Sequence, residues 1–572
     1  MKARKLHVIL IIALSALAYL NTFWNPFVFD DQFFIVDNTE IRSLRNIPQF
    51  FAGPSTGNLY RPLRGVLYAF TYSIWELNPF GYHLNAVLLS IGISILAYLI
   101  ASQLFKNKTY AFVAGLLFAI HPVHTERVAN MTGGFDLLGV LFLFLAFYSY
   151  ILFRKNNSDK AFVFSITFFI LGLFSSEEAI IFPILVIAYD LCFVWPKSWL
   201  KHYLPIVLVS GGYLSLRYLV LGQIGRTDVF FMGDTLTRVL STAVIFARYI
   251  FITLFPFWLS VDYNVTAYTS LGFTAAACLA LLAFVCFACI KCYKSHRLAF
   301  FSICWFFIAL IPFSNIFPVQ TFMADRYLYV ASLGFVLLLS YLISRLNHRK
   351  AAFAVVLVLV ALYLPATILR NAEWKSDYAL LSSAVERQPK SSIAHNDLGQ
   401  VYQTLGDFGK AAEEYIIALR LNDRNHVAWL NLGTVYGEAG NYSMAEYYLN
   451  KSLSIYRSYK GHNNLGLIYW KMGKIDKAIL ELGMAIELEP SLSKAYMDLG
   501  VIYANDGSIN LALAQFERAI SLNPAVPDSH YNLAVLYEYL NKTDEAHKEY
   551  TFAYQLEPGN KLYKDKAIGG YR

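Results

Sequence analysis

The chain has 572 residues, 57% of them hydrophobic and only 15% charged, with a mean hydropathy of +0.45 and a formal net charge of +8. Soluble domains carry about a quarter charged residues, so this composition excludes an ordinary soluble protein and points to a membrane protein. No basic patch interleaved with aromatics occurs in the polar part, so the positive charge reads as a topology signal rather than a nucleic-acid footprint.

Two populations share the chain. Residues 1–369 are dominated by runs of Leu, Ile, Phe and Val, which predicts a polytopic helix bundle, and 370–572 is polar. The N-terminus has a basic start (Lys2, Arg4, Lys5) and an apolar stretch, but no small-residue cleavage site precedes Trp24-Asn25-Pro26, so an uncleaved first span is expected. A span needs roughly 20 apolar residues. About eleven are predicted, near 6–24, 84–105, 110–126, 135–153, 161–175, 179–195, 203–221, 271–290, 298–316, 327–344 and 351–369. Basic clusters at Lys106/Lys108, Arg154/Lys155/Lys160, Lys197/Lys201, Lys291/Lys294/Arg297 and Arg345/Arg349/Lys350 mark the cytoplasmic loops. Counting 236–257 as a further crossing would put the last two clusters outside, so that segment is expected to be re-entrant or interfacial. The polar domain then lies on the extracytoplasmic side. All six cysteines fall in the apolar half, and Cys289/Cys292 form a CxxC without a second pair, which reads as buried thiols rather than a zinc site.

The polar motifs of the apolar half all fall at outer helix ends. Asp30-Asp31 follows the first span; Tyr60-Arg61-Pro62-Leu63-Arg64 lies in the first long loop; His121-Pro-Val-His124-Thr-Glu126 ends the third span. Glu177-Glu178 joins the fifth and sixth, Asp262 follows the re-entrant segment, and Ala324-Asp325-Arg326-Tyr327 begins the tenth. Adjacent carboxylates are costly to desolvate at a bilayer surface, so a functional use is expected of the pair. One acid suits a general base toward a hydroxyl, others suit a metal or substrate hydroxyl, and an arginine at that depth suits a phosphate. His121 and His124 equally suit helix-end hydrogen bonds, and the pair lacks a third evident ligand. Glu177-Glu178 equally suits a solvated loop, and Arg326 a structural pairing with Asp325.

In the polar half, Leu398-Gly399, Leu432-Gly433, Leu465-Gly466, Leu499-Gly500 and Leu533-Ala534 recur at spacings of 34, 33, 34 and 34. Each is followed by a tyrosine (Tyr402, Tyr436, Tyr469, Tyr503, Tyr537) and then by an alanine (Ala411, Ala445, Ala478, Ala512, Ala546). Pro490, Pro524 and Pro558 close the last three units. This is the tetratricopeptide signature: an all-α solenoid of about five repeats, preceded by an incomplete unit with Trp374, Ala384 and Pro389. Just before the glycine positions stand Asn396, Asn431, Asn464, Asp498 and Asn532. Amides repeated along one face can hydrogen-bond an extended peptide backbone, or they can fill a packing niche. The series is similar to the asparagine ladder in the repeats of the nucleocytoplasmic O-GlcNAc transferase, with Asp498 breaking it.

Taken together, Asp30-Asp31, Tyr60-Arg-Pro-Leu63, the HPVHTE segment, Ala324-Asp-Arg-Tyr-Leu-Tyr329 and the repeat tail resemble the transmembrane and tetratricopeptide-repeat (TMTC) proteins, protein O-mannosyltransferases of the GT-C superfamily. The resemblance implies an all-α, GT-C-type bundle that moves a sugar, mannose first, from a polyprenyl- or dolichyl-phosphate donor to Ser or Thr hydroxyls of exported proteins. It implies that Asp30 or Asp31 is the catalytic base and that Arg326, with Arg61, contacts the donor phosphate. His121, His124 and Glu126 would lie beside the same cavity, as candidate ligands for a divalent cation. Glu177, Glu178 and Asp325 would line that cavity, and Asn396, Asn431, Asn464 and Asn532 would hold the acceptor. The protein would reside in a bacterial or archaeal cytoplasmic membrane, or in the endoplasmic reticulum of a eukaryote with its repeats lumenal. Two rivals are a membrane-anchored scaffold and a lipid-linked polysaccharide polymerase or ligase; Asn at positions 30 and 31 would leave the scaffold intact, and the nature of the acceptor separates the ligase.

Overall fold

The computed structural model describes residues 2–194, 199–223, 234–315 and 321–569. Lys197, and the last residue of the spans expected at 179–195 and 298–316, lie outside the described residues. The chain divides into two compact units, Met1–Gln388 and Pro389–Arg572. Among the described residues both are helical, with a single isolated bridge between Ser55 and Leu59.

The first unit starts with α1 (Lys2–Tyr19), and the loop after it carries the short α2 (Ile47–Ala52) and α3 (Pro62–Trp75). Then come α4 (Pro79–Leu104), α5 (Lys108–Ala119), the one-turn α6 (Thr125–Ala129), α7 (Met131–Asn156) and α8 (Asp159–Ser175). They are followed by α9 (Phe182–Phe193), α10 (Trp199–Leu221), α11 (Thr235–Leu254), α12 (Phe273–Ser295) and α13 (Arg297–Leu310). The unit closes with α14 (Leu328–Ser344), α15 (Arg349–Glu373) and α16 (Asp377–Arg387). Asn, Ser and Asp caps start the long helices: Asn78 before α4, Asn130 before α7, Ser158 before α8 and Asp234 before α11 each accept a first-turn amide.

Among the described residues eight helices are long and apolar enough to cross a membrane; seven coincide with expected spans, and the eighth is Thr235–Leu254. The remaining expected spans are shorter helices. The stretch 110–126 is broken at Ile120-His121-Pro122, where proline lacks the amide that would continue α5, and the chain resumes as a 3-10 turn before α6. Helix α11, though long enough to cross, meets helix ends: the Thr242 hydroxyl donates to the Ser314 carbonyl at 3.1 Å, and the Tyr249 hydroxyl accepts from the Ala324 amide at 3.2 Å. The chain then doubles back along it. Arg248 donates to the Asn264 carbonyl at 3.0 Å and Ser241 accepts from the Tyr268 amide at 3.0 Å.

Small residues bring the helices together, in place of the hydrophobic drive that lipid removes. A Cβ on Gly334 of α14 would lie 2.5 Å from the Ser302 carbonyl of α13, so only glycine allows that approach. Peripheral α12 leaves Cys289 and Cys292 half-buried and Cys286 exposed, where the CxxC had been expected to be buried.

In the second unit, five helix pairs run α17 (Ser392–Thr404), α18 (Phe408–Leu421), α19 (His426–Glu438), α20 (Tyr442–Ile455), α21 (Tyr459–Lys471), α22 (Ile475–Leu488), α23 (Ser493–Asn505), α24 (Ile509–Leu522), α25 (Pro527–Tyr539) and α26 (Thr543–Leu556), and α27 (Lys561–Gly569) ends the array. Each pair turns on one left-handed residue: Gly406, Gly440, Gly473 and Gly507 at φ of 72–80°, and Asn541 at 57°. The alanines pack as expected, since Ala411, Ala445, Ala478, Ala512 and Ala546 are fully buried.

Between the paired helices His395, His462 and His530 meet Glu414, Glu481 and Glu549, each at 2.6 Å. The second nitrogen of His530 faces the Pro524 carbonyl at 3.0 Å, so only the protonated ring satisfies both acceptors. The Glu549 hydrogen bond, helped by that carbonyl, raises the His530 pKa above its ordinary 6.5 against the opposing effect of burial. Its stabilisation is therefore complete below pH 6.5 and lost as pH rises through the raised value. His530→Gln is expected to lower the stability of the repeats by about 1 kcal/mol in mildly acidic buffer and by much less in alkaline buffer. Calorimetry at the two pH values checks this.

Candidate functional site

The polar motifs of the first unit meet at one end of its bundle. The loop after α1 brings Asp30-Asp31 there behind Phe29, whose φ of 58° is unusual for a bulky residue. The Phe29 amide donates to the Asp377 carboxylate of α16 at 2.7 Å, which holds this backbone in place. Such strain of about 1–3 kcal/mol, beside an acidic pair, marks a place worth testing for function.

The two acids are not equivalent. Asp31 is fully buried, and its Oδ1 accepts from the Thr132 amide at 2.7 Å and the Thr132 hydroxyl at 2.8 Å. Its Oδ2 accepts from the Val28 amide at 3.2 Å. Burial pushes the Asp31 carboxyl up to about 6, against these three hydrogen bonds and with a smaller push from Asp30. Asp31 is thus a strut that ties the loop to the start of α7. Asp30 is exposed, and its carboxyl is nonetheless raised above its ordinary value, as expected in a recess walled by protein. Desolvation is the main cause; Arg326 pulls it back, Glu126 pushes it up, and Arg64 and Asp136 act weakly in opposite senses.

Around them lies a chain of buried ion pairs. Arg61 grips Glu177 with two parallel hydrogen bonds of 2.7 and 2.8 Å and donates to Asp136 at 2.6 Å. Asp136, on α7, also takes Arg64 at 2.9 Å and Arg127 at 3.3 Å. Arg127 pairs with Glu178 and donates to the Arg326 carbonyl at 3.1 Å. Glu126 accepts from the Arg326 amide at 2.8 Å and from its guanidinium at 2.5 Å.

Arg326 also donates to Thr321 at 3.1 Å, and its side chain remains 24% exposed. Arg61 is 3% exposed with both edges of its guanidinium occupied. Of the two arginines expected at a donor phosphate, Arg326 is thus the one that remains partly exposed. Glu177 and Glu178 are engaged with arginines rather than standing free in a cavity. Asp325 is buried, accepting from the Tyr263 hydroxyl at 2.5 Å with Arg370 3.7 Å away.

The three metal candidates are not brought together. Glu126 faces Arg326, the His124 Nε2 lies 2.7 Å from the Ser332 hydroxyl, and His121 accepts the Val123 amide at 3.4 Å. Among the described residues no group of three or more His, Cys, Asp or Glu side chains is placed to hold a metal ion.

A separate apolar groove of about 270 Å³ lies between α11, α12, α13 and α14, lined by residues such as Ile250, Phe284, Phe306 and Leu339. Ile250, in its wall, follows Tyr249 in sequence, whose hydroxyl accepts from the Ala324 amide.

In the second unit a groove of about 630 Å³ crosses the first helices of the repeats and takes in Asn431 and Asn464. Asn396 is one residue out of register, since Asp397 holds the position two before its glycine. It nonetheless joins the row, because Asn431 donates to it at 3.1 Å; Asn464 donates to Thr434 at 3.0 Å. Asn532, in the fifth repeat, is half-buried.

Reading the sequence missed Asp136, Thr132, Arg64, Arg127 and Asp377. Arg64 stood in a quoted motif, and Arg127 directly follows another; a lone aspartate at the second residue of the otherwise apolar span 135–153 was the available signal for Asp136.

Residues 62–220 match the dolichyl-phosphate-mannose-protein mannosyltransferase family, and 389–458, 463–530 and 515–548 match tetratricopeptide repeats. The chain is 27% identical over 442 residues to protein O-mannosyl-transferase F38B6.6 of Caenorhabditis elegans, covering 73% of this chain and 63% of that protein. It is 26% identical over 566 residues to protein O-mannosyl-transferase TMTC3 of Mus musculus, covering 86% and 61%. To human protein O-mannosyl-transferase TMTC4 it is 26% identical over 480 residues, covering 70% and 64%. The resemblance to the TMTC proteins thus holds over most of the chain, which spans somewhat over three-fifths of the length of these relatives.

Proposed function

We propose that this chain, similar over most of its length to TMTC protein O-mannosyltransferases, is an integral-membrane glycosyltransferase. It moves a sugar, mannose first, from a polyprenyl- or dolichyl-phosphate to Ser or Thr hydroxyls of exported polypeptides. Residues 1–369 carry the reaction and 370–572, on the extracytoplasmic side, hold the acceptor. The observation that carries this reading is Asp30, an exposed acid that interacts electrostatically with the partly exposed Arg326 at the polar end of the bundle.

In the reaction Asp30 takes the proton of the acceptor hydroxyl as its oxygen attacks the anomeric carbon from the face opposite the lipid phosphate. The bond from that carbon to the phosphate oxygen breaks, configuration inverts, and the lipid phosphate leaves with the bonding pair. Arg326 offers its exposed edge to the phosphate, and Glu126 orients that guanidinium. The apolar groove between α11, α12, α13 and α14 takes the isoprenoid chain, each buried CH₂ contributing about 0.8 kcal/mol.

The test is transfer of radiolabel from polyprenyl-phosphate mannose to a Ser/Thr polypeptide by the purified chain. Label in protein is the expected result; label only in a glycan would favour a polysaccharide ligase, and no transfer from any lipid-linked sugar would leave the scaffold reading. The base must be ionised and its pKa is raised, so kcat/KM is expected to fall on acidification at a pH above the ordinary 3.8 of aspartate. A pH-rate profile with the acid limb at or below that value would remove Asp30 from the role of base.

A further inference from the structure

We propose that the groove across the first helices of repeats one to four binds an extended polypeptide segment bearing an acidic side chain, whose carboxylate is taken by Lys460 and Lys494. The proposal deepens the reading of the repeats as the acceptor site and rests on it.

The groove carries two kinds of group suited to such a segment. Gln400, Asn431 and Asn464, on the first helices of three successive repeats, offer amides that accept and donate, which matches a backbone read without regard to its side chains. Lys460 and Lys494 supply the charge. They are 34 residues apart, one on α21 and one on α23, so consecutive repeats set them side by side in the same wall. Lys460 stands four residues before Asn464 and therefore on the same face of α21, which pairs an ammonium with an amide at a single rung.

Both lysines are exposed, and neither belongs to a salt bridge among the described residues. The acids near them are partly committed. Glu438, across the groove, accepts from Gln403 at 3.2 Å, and Asp498, one turn after Lys494, accepts from Asn463 at 3.5 Å. Asn463 itself lines the groove and is 5% exposed, and its amide oxygen has no partner. A buried amide oxygen left unpaired is costly, and a peptide N–H entering the groove floor would complete it. The wall thus joins two exposed ammonium groups, that of Lys494 also facing the Asp498 carboxylate, to an unfilled acceptor. An acidic extended segment fits both; a basic one would face two ammonium groups.

The experiment is fluorescence anisotropy with the full chain in detergent and no sugar donor. The probes are a labelled Ser/Thr-rich peptide with two central aspartates and the same peptide with asparagines or lysines in their place. The aspartate peptide is expected to bind roughly tenfold more tightly than the asparagine one, with the lysine one weakest, and added salt should erase the difference. Lys460→Gln/Lys494→Gln should remove the tenfold preference while leaving asparagine-peptide binding unchanged. Equal binding of the aspartate and asparagine peptides, tighter binding of the lysine peptide, or a double variant that keeps the preference would overturn the proposal. Because the assay holds no sugar donor it reads peptide binding alone, so a failure of sugar transfer is read separately from a failure of acceptor recognition.

Discussion

Asp30→Asn is expected to lower sugar transfer by between about a hundredfold and ten-thousandfold, the range that a positioned general base contributes. Donor binding should change little, because the phosphate is assigned to Arg326. Asp31→Asn should behave differently. One oxygen of Asp31 accepts from Val28 and the other from Thr132, so an amide turns a donor toward one of these N–H groups. The expected outcome is a loss of stability of about 1–3 kcal/mol, with the loss of activity following unfolding. Transfer rates measured beside melting temperatures for the two variants decide it. If Asp30→Asn retained near-normal transfer while Asp31→Asn lost it with its melting temperature unchanged, the assignment would be reversed.

Asp136→Ala is expected to be among the most damaging single changes to the fold. Asp136 faces Arg61, Arg64 and Arg127, all buried, and its removal leaves guanidinium groups without their shared counter-charge. Breaking a buried pair from one side costs roughly 3–5 kcal/mol, a large part of the about 5–15 kcal/mol by which domains are usually stable. The detergent-solubilised variant should melt far below the wild type or fail to accumulate. A melting temperature within the error of the wild type would show that water reaches the arginines and that the ion pairs carry little of the stability.

The repeat domain was legible because its pattern is local. A leucine-glycine pair every 33 or 34 residues, with tyrosine and alanine at fixed offsets, specifies helix, turn and packing within one unit. The long spans were legible for the same reason. The site was legible only where polar residues cluster along the chain, as in Asp30-Asp31, His121–Glu126 and Ala324–Tyr327. Their partners were not. Asp136 reaches back 75 residues to Arg61, and Glu126 forward 200 to Arg326; such pairings depend on how helices cross, which no periodicity records. The reading of Arg61 as a phosphate contact came from that blindness, since nothing near it in sequence announces Glu177. Likewise Asp30 and Asp31 are adjacent letters whose environments diverge only when Thr132 arrives from α7.

The three-to-one sharing at Asp136 also bears on how this corner of the molecule can vary among relatives. A lineage that loses the carboxylate first is penalised, and so is one that loses Arg61 first, because Glu177 and Asp136 then each lose a buried hydrogen-bonded partner. Loss of Arg64 alone is milder, for it leaves Asp136 two partners. After that step the penalty for replacing Asp136 is smaller than before, since fewer cations are orphaned. The order of substitutions is therefore constrained, and Arg64 is the position through which the cluster can be dismantled.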